Sequence, residues 1–382
     1  MKKSMLIIIA VSIMIFILSG CMLNTNYQQK SINSVHGLGL KTLPSAFLNW
    51  WFSTKVKTFN PSTGSYSHKP LKLIASYDSI ASTQKLLIQP FYSNIPYSYD
   101  LRDYSGTPPV QDQGDNDTCW AFATVESLES AMLVQLGILQ ISQDYPFISN
   151  PLSPDLSEQF VAYNDKDANV TVTQTNGTNE YVLTYQETNN DEGGYLFFSF
   201  YDLTRRGVPL ASDFPYISSS QPWIEWDAQD GQWPQHLVTS DYSLVIPNAY
   251  WFYRSGYSYT DYINTIKSAI MEYGAVAVTF SAYNDFMGDN NEPSGWVYPG
   301  PSSNAINEGG HAVILIGWDD DWTYNGTDYG PVWILQNSWG TGWGHNGYWR
   351  QPMITQSQYD NLSNTSIPSW QIEQGFMYLP LL

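Results

Sequence analysis

Positive charge and cysteine are what this sequence has least of. Lysine and arginine total 16 against 35 aspartates and glutamates, for a formal net charge of −19. A surface of that sign offers phosphates no basic face, which argues against nucleic acid as a partner. The two cysteines in 382 residues, Cys21 and Cys119, are too few for a disulfide framework. The five histidines are scattered, with no Cys-rich or His-x-x-x-His spacing, so neither a metal nor another cofactor is expected. Internal repeats are also missing. Charged residues make up 13% of the chain, whereas hydrophobic residues reach 43% and aromatics 15%, ample for the core of one large domain or two modest ones.

The first strong positive signal is at the N-terminus. Met1-Lys2-Lys3 is basic, the stretch from Met5 to Leu18 is almost wholly apolar, and Leu18-Ser19-Gly20-Cys21 follows. This is the order of a secretory signal. The last four residues also resemble the prokaryotic lipoprotein box, in which the Cys thiol is lipidated. The expectation is therefore a signal peptide over 1–20, a lipid on Cys21, and a chain held at the outer side of the cell membrane. An uncleaved membrane anchor is the alternative, since the apolar run approaches a spanning length. With Cys21 lipidated, Cys119 has no disulfide partner, and an odd thiol in an exported protein is either inert or reactive.

From residue 21 to about 95 the sequence is poor in regular pattern and reads as a tether or propeptide. It is turn-rich at Gly37-Leu38-Gly39-Leu40 and Asn60-Pro61-Ser62-Thr63-Gly64. Its apolar residues Phe47, Leu48, Trp50, Trp51 and Phe52 need cover from water. After Tyr97 the pattern changes. A helix opens at Cys119, with Ala121, Val125, Leu128, Met132 and Leu136 on one face, Glu126 and Glu129 on the other, and Gly137 as its stop. A second helix spans Asp261 to Tyr273, with Ile263, Ile266 and Ile270 inward. Strands are predicted at 275–280, 312–316 and 332–336. Residues 169–175 and 180–186 alternate around Asn176-Gly177, a hairpin signal. Helix first and strands later predicts an α+β architecture of two lobes, spanning 96–382, with polar insertions near 165–190 and 218–257.

The residues that carry chemistry stand in three places. Gln113-Gly114 precedes Thr118-Cys119-Trp120-Ala121-Phe122, with Gln113 six positions before Cys119. Gly309-Gly310-His311-Ala312-Val313 opens an apolar strand, and Gln336-Asn337-Ser338-Trp339-Gly340 leads to Trp343-Gly344 and Gly347-Tyr348. A thiol at a helix start meets free N–H groups and the positive end of the dipole, which favour a thiolate. A lone His before a strand is more often structural, but Cys, His and Asn in this order are not a chance set. Together they resemble the papain-like cysteine peptidases. The resemblance implies Cys119 as nucleophile, His311 as its base, Asn337 as the group that orients the imidazole, and Gln113 with the Cys119 N–H as oxyanion hole. It further implies that Trp339 shields the His–Asn bond, that Gly193-Gly194 pairs with an extended substrate, and that Gly310 lines the S2 subsite with an apolar preference. Leu156-Ser157-Glu158-Gln159 and Asp213-Phe214-Pro215-Tyr216 also match the family's pattern.

The departures are specific. Asn116, Asp191 and Asn164 stand where half-cystines are usual, leaving a fold held by packing alone. Asp117-Thr118 replaces Gly-Ser; a carboxylate there would cap the helix but also oppose the thiolate. Cys119 and His311 are 192 residues apart (311 − 119) against the ~130–150 of papain-type spacing, an excess the two insertions account for. The expectation is a monomeric, lipid-anchored endopeptidase acting on peptide or protein substrates. The competing readings are a catalytically silent module that holds peptide or glycan, and a transglutaminase-like acyltransferase, against which Asn337 in its Asn-Ser-Trp-Gly setting argues.

Overall fold

The computed structural model describes residues 37–41, 57–60, 65–68, 72–75, 95–144, 148–164, 166–175, 178–187, 193–217, 249–253, 258–288, 291–360, 371–372 and 374–378. The N-terminal part carries β1 (Lys57–Asn60), β2 (Ser65–His68) and β3 (Lys72–Ala75), followed by β4 (Ser98–Asp100). Then come α1 (Cys119–Gln135), α2 (Gly137–Asp144) and α3 (Glu158–Asn164). The hairpin strands β5 (Lys166–Thr175) and β6 (Thr178–Glu187) precede α4 (Leu196–Arg206) and β7 (Ala249–Tyr253). The remainder is α5 (Tyr259–Tyr273), β8 (Val276–Tyr283), α6 (Asn284–Met287), β9 (Asn307–Tyr324), β10 (Thr327–Gln336), β11 (Tyr348–Pro352), α7 (Gln356–Asp360) and β12 (Gln374–Tyr378).

One antiparallel sheet organises the second half, in the order β11-β10-β9-β8-β12-β7-β3, with β4 pairing the far part of β9. The unbroken apolar run from Ala312 to Ile316 lies buried in β9, between β8 and β10, and α1 and α5 pack on this strand. A run without alternation is what a strand covered on both faces requires. The high aromatic content is spent in the interior. Phe286 of α6 has its ring 4.8–5.6 Å from those of Phe280, Tyr298, Trp339, Trp343 and Trp349, mostly edge-on. That cluster backs the loop after β10.

Helix α5 starts where Ser258 Oγ accepts the Asp261 N–H at 3.1 Å, and ends at Gly274, whose φ is +97°. The hairpin falls where the alternation put it, with Thr175 opposite Thr178 across Asn176-Gly177. Two expectations need correction. Helix α1 has no solvent face, since Glu126 and Glu129 are as buried as its apolar side; it lies between β9, α3, α4 and α5. The segment between 21 and 95 is not without regular structure, because β1 and β2 form a hairpin and β3 extends the main sheet alongside β7. Cys21, the apolar residues 47–52, Asp191 and most of the 218–257 insertion lie outside the described residues; within that insertion 249–253 forms β7.

Candidate active site

Cys119 is the first residue of α1, and its N-cap is Thr118. The Thr118 side chain makes no capping hydrogen bond. Asp117 accepts the Leu38 N–H at Oδ1 (3.0 Å). The turn before the helix is held by Tyr216. Its hydroxyl donates to the Gln113 carbonyl (3.0 Å), accepts from Asn116 Nδ2 (3.0 Å) and shares a hydrogen bond with Thr118 Oγ1 (2.7 Å). Asn116 Nδ2 also reaches the Ile217 carbonyl at 2.9 Å. Hydrogen bonds thus tie this turn to the 214–217 corner.

Gln113 is fully buried and fixed at both ends of its amide. Oε1 accepts from Ser338 Oγ (2.7 Å), and this orients Nε2 to donate to the Asn116 carbonyl (2.8 Å) and the Gly37 carbonyl (3.1 Å). Across the groove, His311 sits on β9 opposite Phe280 of β8. Its Nε2 lies 2.8 Å from Asn337 Oδ1, and that oxygen also accepts the Ser338 N–H at 2.9 Å. With an oxygen as partner, Nε2 carries a proton, and the basic lone pair of the neutral ring is at Nδ1. Trp339 stacks on the imidazole at 4.5 Å between centroids and 21° between planes, while Phe280 meets its edge at 5.6 Å. His311, Asn337 and Trp339 are all buried, so water has little access to the His–Asn bond.

The Cys119 thiol is fully buried, and burial pushes its pKa up to about 12. The Ala312 N–H pulls the other way, Asp117 adds to the rise, and the N–H groups of Trp120 and Leu40 oppose it. The contact with Ala312, next to His311, joins the two halves of the groove. The contact with Leu40 identifies what fills it. Residues 37–41 run through the groove as an extended strand. Gly37 N–H donates to the Gly114 carbonyl (3.2 Å), and its own carbonyl accepts from Gln113 Nε2 and Trp339 Nε1 (3.3 Å). Leu40 N–H donates to the Gly310 carbonyl (3.2 Å). Gly194 brackets Leu40 in a parallel bridge, donating to the Gly39 carbonyl (2.8 Å) and accepting from Lys41 N–H (2.7 Å).

Cys119, His311, Asn337, Gln113, Trp339, Gly193, Gly194 and Gly310 therefore line one groove, while Cys21 lies outside the described residues. Tyr216, Ser338 and Asn116 hold that groove in shape without being foreseen as doing so. Tyr216 was visible only as the last residue of Asp-Phe-Pro-Tyr, and Ser338 only as a link between Asn337 and Trp339.

Comparison with known proteins agrees with this geometry. The family described as "Papain family cysteine protease" matches residues 95–145 and 173–368. A cysteine protease of Blomia tropicalis is 26% identical over 294 residues, which covers 76% of this chain and 69% of that protein. Macrodontain-1 of Ananas macrodontes is 26% identical over 258 residues (67% of this chain, 88% of that protein). Papain of Carica papaya is 26% identical over 267 residues, 70% of this chain and 57% of that protein. The family match takes in more than half of the sequence, and the chain belongs to the papain family of cysteine proteases.

Proposed function

We propose that this chain is a lipid-anchored endopeptidase held at the outer side of the cell membrane, made in a form whose groove is blocked by its own residues 37–41. The observation that carries the catalytic part is a carbonyl oxygen, that of Gly37, held by the Gln113 amide at 3.1 Å in a groove lined by a buried thiol and a buried His–Asn pair. In the reaction, His311 Nδ1 takes the Cys119 proton and sulfur attacks the substrate carbonyl carbon. The oxyanion is held by the Cys119 N–H and Gln113 Nε2. The C–N bond breaks as His311 returns the proton to the leaving amine, and the acyl group stays on sulfur. Water, deprotonated by the same nitrogen, then releases the acid and restores the thiol.

The Gly194–Gly310 ledge takes the acyl side of the substrate, with the second residue before the scissile bond near the position Leu40 occupies. This supports reading 37–41 as an inhibitor and not a substrate. Its chain runs from the Gln113 amide towards Gly194, whereas an acyl-side substrate runs from the ledge to the oxyanion hole. The membrane part rests on Leu18-Ser19-Gly20-Cys21.

The test is labelling of the full chain by an epoxide-type cysteine-peptidase inhibitor, with turnover of a fluorogenic peptide and circular dichroism measured alongside. Cys119→Ala should lose label and at least about 10³-fold of turnover while keeping its spectrum. Equal turnover in the variant, or a chain that binds peptide without cleaving it, would sink the catalytic reading. Mass spectrometry of the mature N-terminus should find an acylated Cys21; an unmodified chain beginning at Met1 refutes the anchor.

A further inference from the structure

The residue that sets this protease apart within its own groove is Asp117. It stands two positions before Cys119 on the turn leading into α1, and it is half-buried in the groove wall. Its carboxylate is turned into the groove, where Oδ1 holds the Leu38 N–H at 3.0 Å. Its backbone is held in place, since the Asp117 carbonyl accepts from Trp120 Nε1 at 3.1 Å. The chain lying in the groove passes Asp117 between two fixed points. Gly37 offers its carbonyl to the Gln113 amide, and Leu40 is bracketed by Gly194 and Gly310. Between them, Gly39 lies so close that an added Cβ would stand 2.5 Å from the Asp117 Cβ and 2.2 Å from its carbonyl oxygen. Whatever residue connects the oxyanion hole to the ledge therefore meets this aspartate. On the catalytic reading above, on which this inference rests, that residue is the one whose carbonyl is attacked.

We propose that Asp117 makes this protease select a basic side chain, arginine or lysine, immediately before the scissile bond. A substrate side chain leaving the backbone beside Cys119 passes along the groove wall. A guanidinium at its end replaces the Leu38 N–H as the partner of the carboxylate once residues 37–41 are gone. Arginine suits it better than lysine, because a planar fork meets both carboxylate oxygens. A cation there also offsets the negative charge that Asp117 presents to the thiol, so a basic substrate favours the thiolate that attacks it. The chain's net charge of −19 draws basic peptides to the groove at low salt.

The test compares two fluorogenic dipeptide amides with leucine in the second position, one ending in arginine and one in norleucine, on the full chain, D117N and D117K. Both peptides are read on the same preparation, so the fraction of molecules with an open groove cancels in the ratio. Wild type should favour arginine in kcat/KM by about tenfold, and the preference should shrink as salt rises. D117N should bring the ratio close to one. D117K should invert the ratio, so that the norleucine peptide is turned over faster than the arginine one. An arginine-to-norleucine ratio unchanged by D117N, or near one in wild type while Cys119 still takes the epoxide label, overturns the inference and leaves the peptidase reading standing. No turnover together with no labelling of Cys119, in the full chain and in the enzyme cut near Pro96 alike, overturns both.

Discussion

One oxygen of Asn337 accepts two donors, His311 Nε2 at 2.8 Å and the Ser338 N–H at 2.9 Å. The second bond fixes which way the amide faces, and so fixes the tautomer of the imidazole. In the proposed mechanism Asn337 orients and does not react. Asn337→Ala should therefore lower kcat by about tenfold, well short of the ~10²–10⁴ expected for losing the base itself in His311→Ala. KM should hardly move. Single-turnover acylation measures the difference, and equal loss in the two variants would mean that Asn337 takes part in proton transfer. The groups that react were legible because their chemistry imposes short local motifs: a thiol at a helix start, an imidazole before a strand, an amide in Asn-Ser-Trp-Gly. Tyr216 and Ser338 were not, because hydroxyls that meet Gln113, one at its carbonyl 103 residues away and the other at its side-chain oxygen 225 residues away, leave no spacing to read. Asp117 shows the same limit: a carboxylate near a helix start has more than one use, and one of its partners is the Leu38 N–H, 79 residues distant.

Helix α1 shows how an element can be found and its surroundings misjudged. The apolar period located it to within a residue at its start, yet a period says only which face is more apolar, not that the other face is wet. Glu126 and Glu129 of α1 and Glu158 of α3 are buried together. The groups facing them are Asp155 on the loop, Gln336 of β10 (3.5 Å from Glu126), the Leu156 N–H (2.7 Å from Glu129), and Tyr348 under the Arg102 guanidinium. Burial raises all three carboxyls well out of the usual range, and their mutual repulsion adds to it for Glu126 and Glu129; Glu158 is pushed up to about 8. In the unfolded chain a glutamate titrates near ~4.3. A folded value above the unfolded one means that stability is fully present below ~4.3 and is lost as pH climbs towards 8. The melting temperature of the Cys119→Ala chain, which cannot digest itself, should therefore fall between pH 5 and pH 8. Each kcal/mol lost should lower it by roughly 2–4 °C. Glu158→Gln should flatten the slope. A melting temperature that holds or rises over this range would show the carboxyls to be ionised and paired. The short strands β1, β2 and β3 escaped the sequence reading for a different reason. Four residues apiece carry too little alternation to stand out, and β3 is fixed by its pairing with β7, not by its own pattern.

At the scale of the whole molecule, the proposed anchor at Cys21, the proposed block at 37–41 and the protease follow one another along one chain. Cys21 precedes Gly37 by 16 residues (37 − 21), a reach of up to ~50 Å when extended, and the protease proper follows residue 95. A cut near Pro96 would open the groove and free the enzyme from the membrane in one event. The fit of the block depends on residues without side chains. Gly39 has a φ of +116°, where other residues are strained, and a Cβ there would stand 2.2 Å from the Asp117 carbonyl oxygen; at Gly37 it would stand 2.0 Å from that of Asn116. Both obstacles are backbone atoms at the start of α1, next to Cys119, and cannot move aside without displacing the nucleophile. Gly39→Val must therefore lift the segment out. The full-length variant should turn over peptide about tenfold faster than the parent with its N-terminal region still attached, since the strain the valine adds in the seated segment, about 1–3 kcal/mol, shifts the balance towards the open groove. Its Cys119 should also be alkylated faster at pH 8, because lifting residues 37–41 gives the reagent access to a thiol that is otherwise fully buried. Gly342→Val, at a glycine with open space around it, is the control and should change neither rate. A Gly39→Val chain as slow as its parent, beside a fast enzyme cut near Pro96, would move the block to residues beyond 41. A parent as fast as the cut enzyme would make the whole region a stalk.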